Sequence, residues 1–281
     1  MTERNAGFSL VELMVSLLLG TIITSAIIQV LVSSQVTSRL NQAVAEVQES
    51  GRFITMRLTN ELLETGQYDV LTANIDSSVD TVVESAWVQN HAIGLAGDFA
   101  TNTGLGSTQG AGGAHDAVVV SMLDTQDCTG NQHGYAGNAF HVVNHYYVTG
   151  NKLTCNGFDG RALRGMKASA SPSSAVTLLD NVVSFQVQYG VSDGAEESQG
   201  QPVTYATADE LPALRNNGQQ VVAIRFGLLL SSYEDQVTQT VAPEFAVLNE
   251  AKVSLDKQHY YQVFSKTLAL RNVKNFVRSS R

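Results

Sequence analysis

The chain has 281 residues, a hydrophobic fraction of 43%, a charged fraction of 15% and a formal net charge of −9 at pH 7, a composition typical of a folded protein with enough length to bury a core. No lysine or arginine occurs between Arg57 and Lys152, whereas acidic residues recur in that interval. Such a surface repels phosphate, so the composition argues against nucleic acid as a partner.

The first predicted element is an apolar segment, residues 8–32, that carries a single charge. At about 1.5 Å per residue, a helix of this length crosses a hydrocarbon core of about 30 Å. An ordinary cleaved signal peptide fits less well, because the apolar run is too long and Arg4 before it is offset by Glu3. A simple membrane anchor fits the length.

Neither alternative explains Glu12, which is the one charge of this segment. A carboxylate near the centre of a spanning helix costs about 2.5–3.5 kcal/mol on insertion scales, so it is a functional candidate. Cleavage between Gly7 and Phe8 would create an α-amino group at nearly the same depth. We expect this cation to pair with Glu12 between staggered neighbouring helices and so to dock one subunit on another.

The stretch "GFSLVELMVSLLLGTII" closely resembles the class III signal peptide of type IV pilins and of type II secretion pseudopilins. The resemblance implies that a prepilin peptidase cuts after Gly7, that the new N-terminal Phe8 is methylated, and that Glu12 supports subunit docking. Residues 1–7 are then a cleaved leader, and residues 8–32 are the transmembrane half of an N-terminal helix.

An amphipathic pattern continues this helix over residues 33–66. Apolar or small residues recur there at spacings of three or four, which indicates one helical stripe: Val36, Leu40, Val44, Val47, Gly51, Ile54, Leu58 and Leu62. No proline interrupts residues 8–64, and Thr65-Gly66 offers a stop. We expect a helix of about 85 Å whose stripe docks on the globular domain, with Gly20 and Gly51 as bend points.

Residues 67–281 are predicted to form a β-rich globular domain with long loops. Apolar or alternating runs predict strands at residues 117–123, 140–149, 152–155, 182–189, 221–231 and 263–270. Gly150-Asn151 predicts a hairpin between the second and third strands. Strands joined by hairpins behind an early helix predict an α+β fold with an antiparallel sheet. The glycine-rich residues 100–113 lack the ending of a phosphate-binding loop and predict a mobile surface loop.

Five blocks of this domain, in their order behind the leader, look like the PilW family of minor pilins: "LDTQDCTGN", "NKLTCNGFDG", "LLDNVVSFQVQYGV", "VVAIRFGLLLSS" and "FSKTLALRN". The resemblance implies a type IV pilin-like fold and a subunit that helps to prime the filament and lies at or near its tip. It implies an inner-membrane protein that spans once, with its domain in the periplasm, and that later enters the extracellular pilus.

The partners implied are other minor pilins, the major pilin, the prepilin peptidase, the inner-membrane assembly platform and an adhesin at the tip. One alternative is a type II secretion pseudopilin similar to GspJ, which shares the leader and the helix. Another is an adhesin or ligand-binding module at the tip. An enzyme is disfavoured, because no Ser-His-Asp, Cys-His or paired-carboxylate arrangement stands out, and no cofactor is expected.

The two cysteines, Cys128 and Cys155, flank the predicted hairpin. With the domain outside the cytoplasm we expect a disulfide, which would add about 3 kcal/mol for a loop of this length. Zinc is the alternative, because His133, His141 and His145 lie nearby and the last two share a strand face. The cysteine spacing matches no compact zinc pattern, so no metal is expected.

An acidic turn, residues 191–200, contains Asp193, Glu196 and Glu197. Carboxylate oxygens are calcium ligands, but this turn lacks the alternating acidic register of an EF-hand loop. We interpret it as a solvated turn, with calcium binding as the alternative.

Overall fold

The computed structural model describes residues 9–69, 80–168, 173–193, 200–233, 237 and 239–273. The predicted cleavage site at Gly7 and Phe8 lies outside these residues, as do Glu196 and Glu197 of the acidic turn.

The N-terminal helix α1 runs from Leu10 to Leu63, which is 54 residues or about 80 Å. Its first half is apolar all round and its second half is amphipathic. The helix is continuous through Gly20 and Gly51. It ends before Gly66, which has a φ of 76°, a left-handed conformation that favours glycine after a helix.

Only the C-terminal part of α1 packs on the domain. Its buried face consists of residues spaced by three or four: Ala43, Val47, Gly51, Ile54, Leu58 and Leu62. The predicted stripe is therefore right from Val47 onward and wrong at its start. Val36 is 58% exposed and Leu40 is 38% exposed, because the described part of the domain first covers α1 at Ala43.

Gly51 permits a close contact between α1 and the sheet. A Cβ atom at this position would lie 2.2 Å from the ring carbon Cζ of Phe264, well inside van der Waals distance. The structure thus explains this glycine by the ring that packs on it, whereas the sequence suggested a bend.

The first sheet follows the helix α2, which spans Thr81–Asn90. Its four strands are β1 (Val118–Asp124), β2 (Phe140–Thr149), β3 (Lys152–Asp159) and β4 (Val176–Leu179). They pair in the order β1-β2-β3-β4, and every pairing is antiparallel. The hairpin between β2 and β3 is confirmed: Gly150 and Asn151 have φ values of 53° and 61°, as a two-residue turn of type I′ requires.

The second sheet has the order β10-β7-β5-β6 and is also antiparallel. Its strands are β5 (Val182–Ser192), β6 (Thr204–Ala206), β7 (Gln220–Ser231) and β10 (Tyr261–Ala269). A two-stranded ribbon of β8 (Glu244–Phe245) and β9 (Val253–Ser254) lies between β7 and β10 in sequence. The α+β class is thus confirmed, with two sheets where one was expected.

The core joins α1 to both sheets. Ile54, Leu58 and Leu62 of α1 are fully or almost fully buried, and they belong to the same apolar cluster as Val142 of β2 and Phe226 of β7. This shared core orients the helix on the domain.

Among the described residues of the domain, three α-helices were not predicted: α2, α3 (Gly160–Leu163) and α4 (Leu211–Asn216). The helix α2 lacks an apolar stripe, because its buried residues are Glu84, Ser85 and Val88. Its start is fixed by Asp80, whose carboxylate accepts from two backbone N–H groups of the first turn.

The prediction of a surface loop over residues 100–113 is wrong for its middle. Leu105 and Ser107 are buried, and the Ser107 hydroxyl accepts a hydrogen bond of 2.9 Å from the backbone N–H of Val119. A backbone bridge pairs Thr108 with Ala117. The glycines here allow the chain to pass close to other backbone, since a Cβ on Gly106 would lie 2.2 Å from the nitrogen of Ala96.

Candidate assembly surface

The exposed half of α1, residues 10–42, is covered by no described part of the chain, and its residues 10–32 form an apolar rod. Its most apolar window has a mean hydropathy of 2.3 with none of its surface buried, and among the described residues α1 is the one helix long and apolar enough to cross a membrane. Such a surface indicates membrane anchoring or burial among neighbouring helices.

Several hydroxyl groups of this exposed half bond to their own helix. Ser16 donates to the carbonyl of Glu12 at 2.9 Å, and Thr24 donates to the carbonyl of Gly20 at 2.7 Å. Thr37 repeats the pattern with Ser33. Because these hydroxyl groups are satisfied internally, they lower the cost of placing the helix in hydrocarbon.

Glu12 lies in the first turn of α1 and is exposed. The spacing from Ser9 to Glu12 matches a capping box, yet the side chain of Ser9 makes no capping hydrogen bond. Among the described residues the Glu12 carboxylate has no ion pair and no hydrogen bond. The carboxylate is thus available to a group outside the described chain.

A polar clamp holds the packed half of α1 against the first sheet. Arg57 forms an ion pair of 2.9 Å with Glu61 and donates to the carbonyl oxygen of Cys128 at 3.2 Å. Tyr146 of β2 donates to the other carboxylate oxygen of Glu61 at 2.6 Å. Burial, and then the nearby Glu61 carboxylate, raise the pKa of Tyr146 well above its usual value, so the phenol remains a donor.

Arg57 of the clamp contacts a residue of the disulfide, Cys128. The structure bonds Cys128 to Cys155, with 6.4 Å between their Cα atoms. Cys155 lies opposite Tyr146 in the β2–β3 pairing, and the backbone N–H of Cys128 donates to Asn144 of β2. The bridge therefore fixes the loop whose carbonyl Arg57 binds.

A buried ion pair ties α2 to the first sheet. Glu84 of α2 is 0% exposed, and Arg161 of α3 binds it through two hydrogen bonds of 2.8 and 2.7 Å. Tyr68, just after α1, donates to the same carboxylate. Burial acts to raise the pKa of Glu84, but the hydrogen bonds from Arg161 and Tyr68 outweigh it and hold that pKa below its usual value.

Sequence reasoning missed this pair, because Glu84 and Arg161 are 77 positions apart. The available signal was weak. A carboxylate lies in a helix otherwise rich in valine, and an arginine follows directly after a strand. Neither residue identifies the other without the fold.

The three histidines of the zinc alternative do not converge. His133 bonds to Asp127 at 2.7 Å, His141 packs on the ring of Trp87, and His145 stacks on Tyr147. Burial lowers the pKa of His141 to about 3. The part of the chain that the structure describes contains no group of three or more His, Cys, Asp or Glu residues placed to hold a metal.

A serine, a histidine and an aspartate do meet at Asp127, where sequence reasoning found no such arrangement. Ser173 donates to the Asp127 carboxylate and lies 3.2 Å from Nε2 of His133. The same nitrogen faces the aspartate, whereas a catalytic triad uses the two ring nitrogens for the two partners. Asp127 also accepts from Thr129 and from the backbone of Asn131, so the trio fixes the loop beside the disulfide.

Two family models match the chain. The model for the prokaryotic N-terminal methylation motif matches residues 3–28, and the model for type IV pilus-assembly protein W, PilW, matches residues 141–272. No curated protein sequence matches significantly. Among solved structures, a type IV-like pilin from Thermus thermophilus is similar, with a TM-score of 0.36 and 13% identity over 59% of this chain and 83% of that chain.

The two family matches together cover more than half of the chain and fall on its two distinctive parts. The first covers the exposed apolar start of α1, and the second covers most of β2 and all the later strands. The N-terminal methylation motif and the PilW match over residues 141–272 together support a type IV minor pilin of the PilW type.

Proposed function

We propose that the chain is a subunit that primes assembly of the type IV pilus and lies at or near the filament tip. The observation that carries the proposal is α1: one continuous helix with an exposed apolar half and, at its start, a carboxylate, Glu12, that pairs with none of the described residues. Family membership supports the pilus over a GspJ-like secretion pseudopilin. The PilW match begins only at residue 141, so the family features concentrate in the sheets.

Membrane insertion comes first in this proposal. Residues 8–32 span the inner membrane once, and the globular domain of residues 67–281 lies in the periplasm, where a Cys128–Cys155 bridge can form. The prepilin peptidase removes residues 1–7, and the α-amino group of Phe8 is methylated. The assembly platform then extracts the subunit, and the apolar rod exchanges lipid for the helices of neighbouring pilins.

Docking depends on Glu12. In hydrocarbon, a lone carboxylate is costly until a cation reaches it, and the processed α-amino group of Phe8 on a neighbouring subunit supplies one. The clamp at Arg57, Glu61 and Tyr146 sets the angle of the rod to the domain. Pairing of Glu12 at the N-terminal end of α1 therefore also positions the domain against other minor pilins, the major pilin and an adhesin at the tip.

The test compares Glu12→Val with Glu49→Val in a strain that lacks the chromosomal copy. Glu49 is an exposed carboxylate farther along the same helix, so it controls for the loss of a charge. We expect Glu12→Val to insert and to be processed normally, while its recovery in sheared pili falls about tenfold, which corresponds to about 1.4 kcal/mol of lost docking energy. Glu49→Val should match wild type.

Priming adds a second readout, the number of pili per cell. Loss of the chain should lower that number, and wild type should restore it better than Glu12→Val. Equal recovery of wild type and Glu12→Val in pili would refute the docking role. A normal pilus number without the chain would refute priming.

A further inference from the structure

The domain has a pole that lies at the far end of α1 from the membrane segment. Strand β10 runs beside α1 from Phe264, which packs on Gly51, to the turn where Asn272 donates to the carbonyl of Leu63. The antiparallel partners of β10 bring the start of β7 and the end of β5 to the same place. We call this end the distal pole.

A cavity of about 220 Å³ opens at the distal pole. Four carboxamide side chains line it: Gln89, Asn90, Gln219 and Gln220. Apolar side chains form the rest of the wall, among them Ile93, Leu211 and Val221. Carboxamides both donate and accept hydrogen bonds, so this lining suits a ligand with hydroxyl groups on one side and C–H groups on the other.

The charged groups at this cavity are already paired or neutral. Nη1 of Arg215 bonds to both carboxylate oxygens of Asp98, at 2.8 and 2.9 Å, and Nη2 donates to the carbonyl of Ile93 at 2.6 Å. Nδ1 of His91 lies 2.9 Å from the carbonyl of Trp87, and burial lowers the pKa of His91. Among the residues that the structure describes, the lining therefore offers no unpaired charge to attract an ionic ligand.

One hydrogen-bond acceptor in the wall is unused. The side-chain Oε1 of Gln220 is buried and has no partner among the residues that the structure describes. Buried polar atoms in folded proteins are usually paired, and an exception needs an explanation. Because this atom is covered in the structure, a ligand hydroxyl group would supply the missing donor once the Gln220 side chain turns toward the cavity.

We propose that the cavity at the distal pole binds an uncharged, hydroxyl-rich ligand the size of a single sugar ring, with Gln220 as an acceptor of one of its hydroxyl groups. This inference goes beyond assembly. In a subunit at the tip, the distal pole would face away from the filament, so the cavity could take a terminal sugar of a surface glycan. That consequence rests on the proposed tip position, whereas the binding itself does not.

The test is saturation-transfer NMR on the full chain in a detergent without a sugar headgroup. The probes are neutral hexoses and N-acetylhexosamines, with a hexuronic acid as the charged comparison. We expect saturable transfer from at least one neutral sugar, with a dissociation constant of about 1 mM, the magnitude that ordinary ligand efficiencies give for about twelve non-hydrogen atoms.

Gln220→Ala should weaken that binding about twofold to tenfold, the effect of one neutral hydrogen bond. Gln262→Ala is the matched control, because Gln262 lines a separate groove between α1 and β10 and should leave binding unchanged. Equal melting temperatures of the two variants would show that both are folded. Gln89→Ala tests a second carboxamide of the lining if Gln220→Ala lowers the melting temperature.

Three results would overturn the proposal: no saturable transfer from any neutral sugar, binding of the hexuronic acid alone, or binding that neither Gln220→Ala nor Gln89→Ala alters. Sugar binding that appears only after removal of residues 274–281 would assign the cavity to the chain's own C-terminal segment. That result would also overturn the proposal, and none of these outcomes bears on the docking role of Glu12.

Discussion

Substitution of Gly51 by alanine tests how closely α1 packs on the sheet. A Cβ atom here would lie 2.2 Å from two ring carbons of Phe264 and 2.5 Å from a third, whereas ordinary contacts begin at 3.4 Å. The ring must therefore retreat by more than an ångström. Phe264 packs against the main core cluster, so its retreat disturbs the junction between α1 and β10.

Two opposing terms set the size of the effect. Overpacking of this kind costs about 1–3 kcal/mol, whereas replacing glycine by alanine inside a helix gains about 1 kcal/mol. We expect a net loss of about 1 kcal/mol in the free energy of unfolding. For a domain of this size, that loss lowers the melting temperature by about 2–4 °C.

The assay is thermal unfolding of the full chain in detergent, followed by the fluorescence of its single tryptophan, Trp87. Gly20→Ala is the matched control, because nothing lies within 4 Å of a Cβ atom at Gly20. A double-mutant cycle with Phe264→Ala should give a coupling energy of about 1–2 kcal/mol, since the added methyl group then fills space that the ring has left. A gain in stability from Gly51→Ala, or a cycle without coupling, would refute the close contact.

Three further predictions concern the domain. Replacing Cys128 and Cys155 by serine should lower the free energy of unfolding by about 3 kcal/mol, and quantitative alkylation of the unreduced native protein would contradict the bridge. Arg161→Met should cost about 3 kcal/mol in denaturant unfolding, because it leaves the buried Glu84 carboxylate with only Arg164, at 3.8 Å, as a cation; adding Glu84→Gln should restore part of the loss. Burial raises the pKa of Asp116 to about 6, so its contribution to stability is present below about pH 4 and is lost as the pH rises through about 6. Denaturant titrations should show a decline of about 2 kcal/mol over that range, absent in Asp116→Asn.

The sequence was sufficient for features that depend on local pattern. The apolar run and the amphipathic repeat predicted α1 to within a few residues at each end, because a helix is continuous wherever proline is absent and one face is apolar. Gly150-Asn151 located the β2–β3 hairpin, since both residues adopt positive φ there. Runs of β-branched residues located the main strands for the same local reason.

Features that depend on contacts between residues far apart in sequence could not be predicted from the sequence. Gly51 was expected to bend α1, and only the fold brings the ring of Phe264 onto it. The helix α2 was not predicted, because its buried face is formed partly by Glu84, whose burial depends on Arg161. The cavity beside Gln220 is likewise lined by residues of α2, α4, β5 and β7, and these elements are far apart in sequence.

The central claim is that the processed chain is a pilus subunit, and the most direct test is the mass of the chain recovered from sheared, purified pili. We expect a chain that lacks residues 1–7 and begins with methylated Phe8, in a strain with an active prepilin peptidase. Gly7→Ala should reduce or abolish this species while the precursor accumulates in the membrane. Recovery of the chain with residues 1–7 still attached, or its absence from pili that contain other minor pilins, would contradict the account.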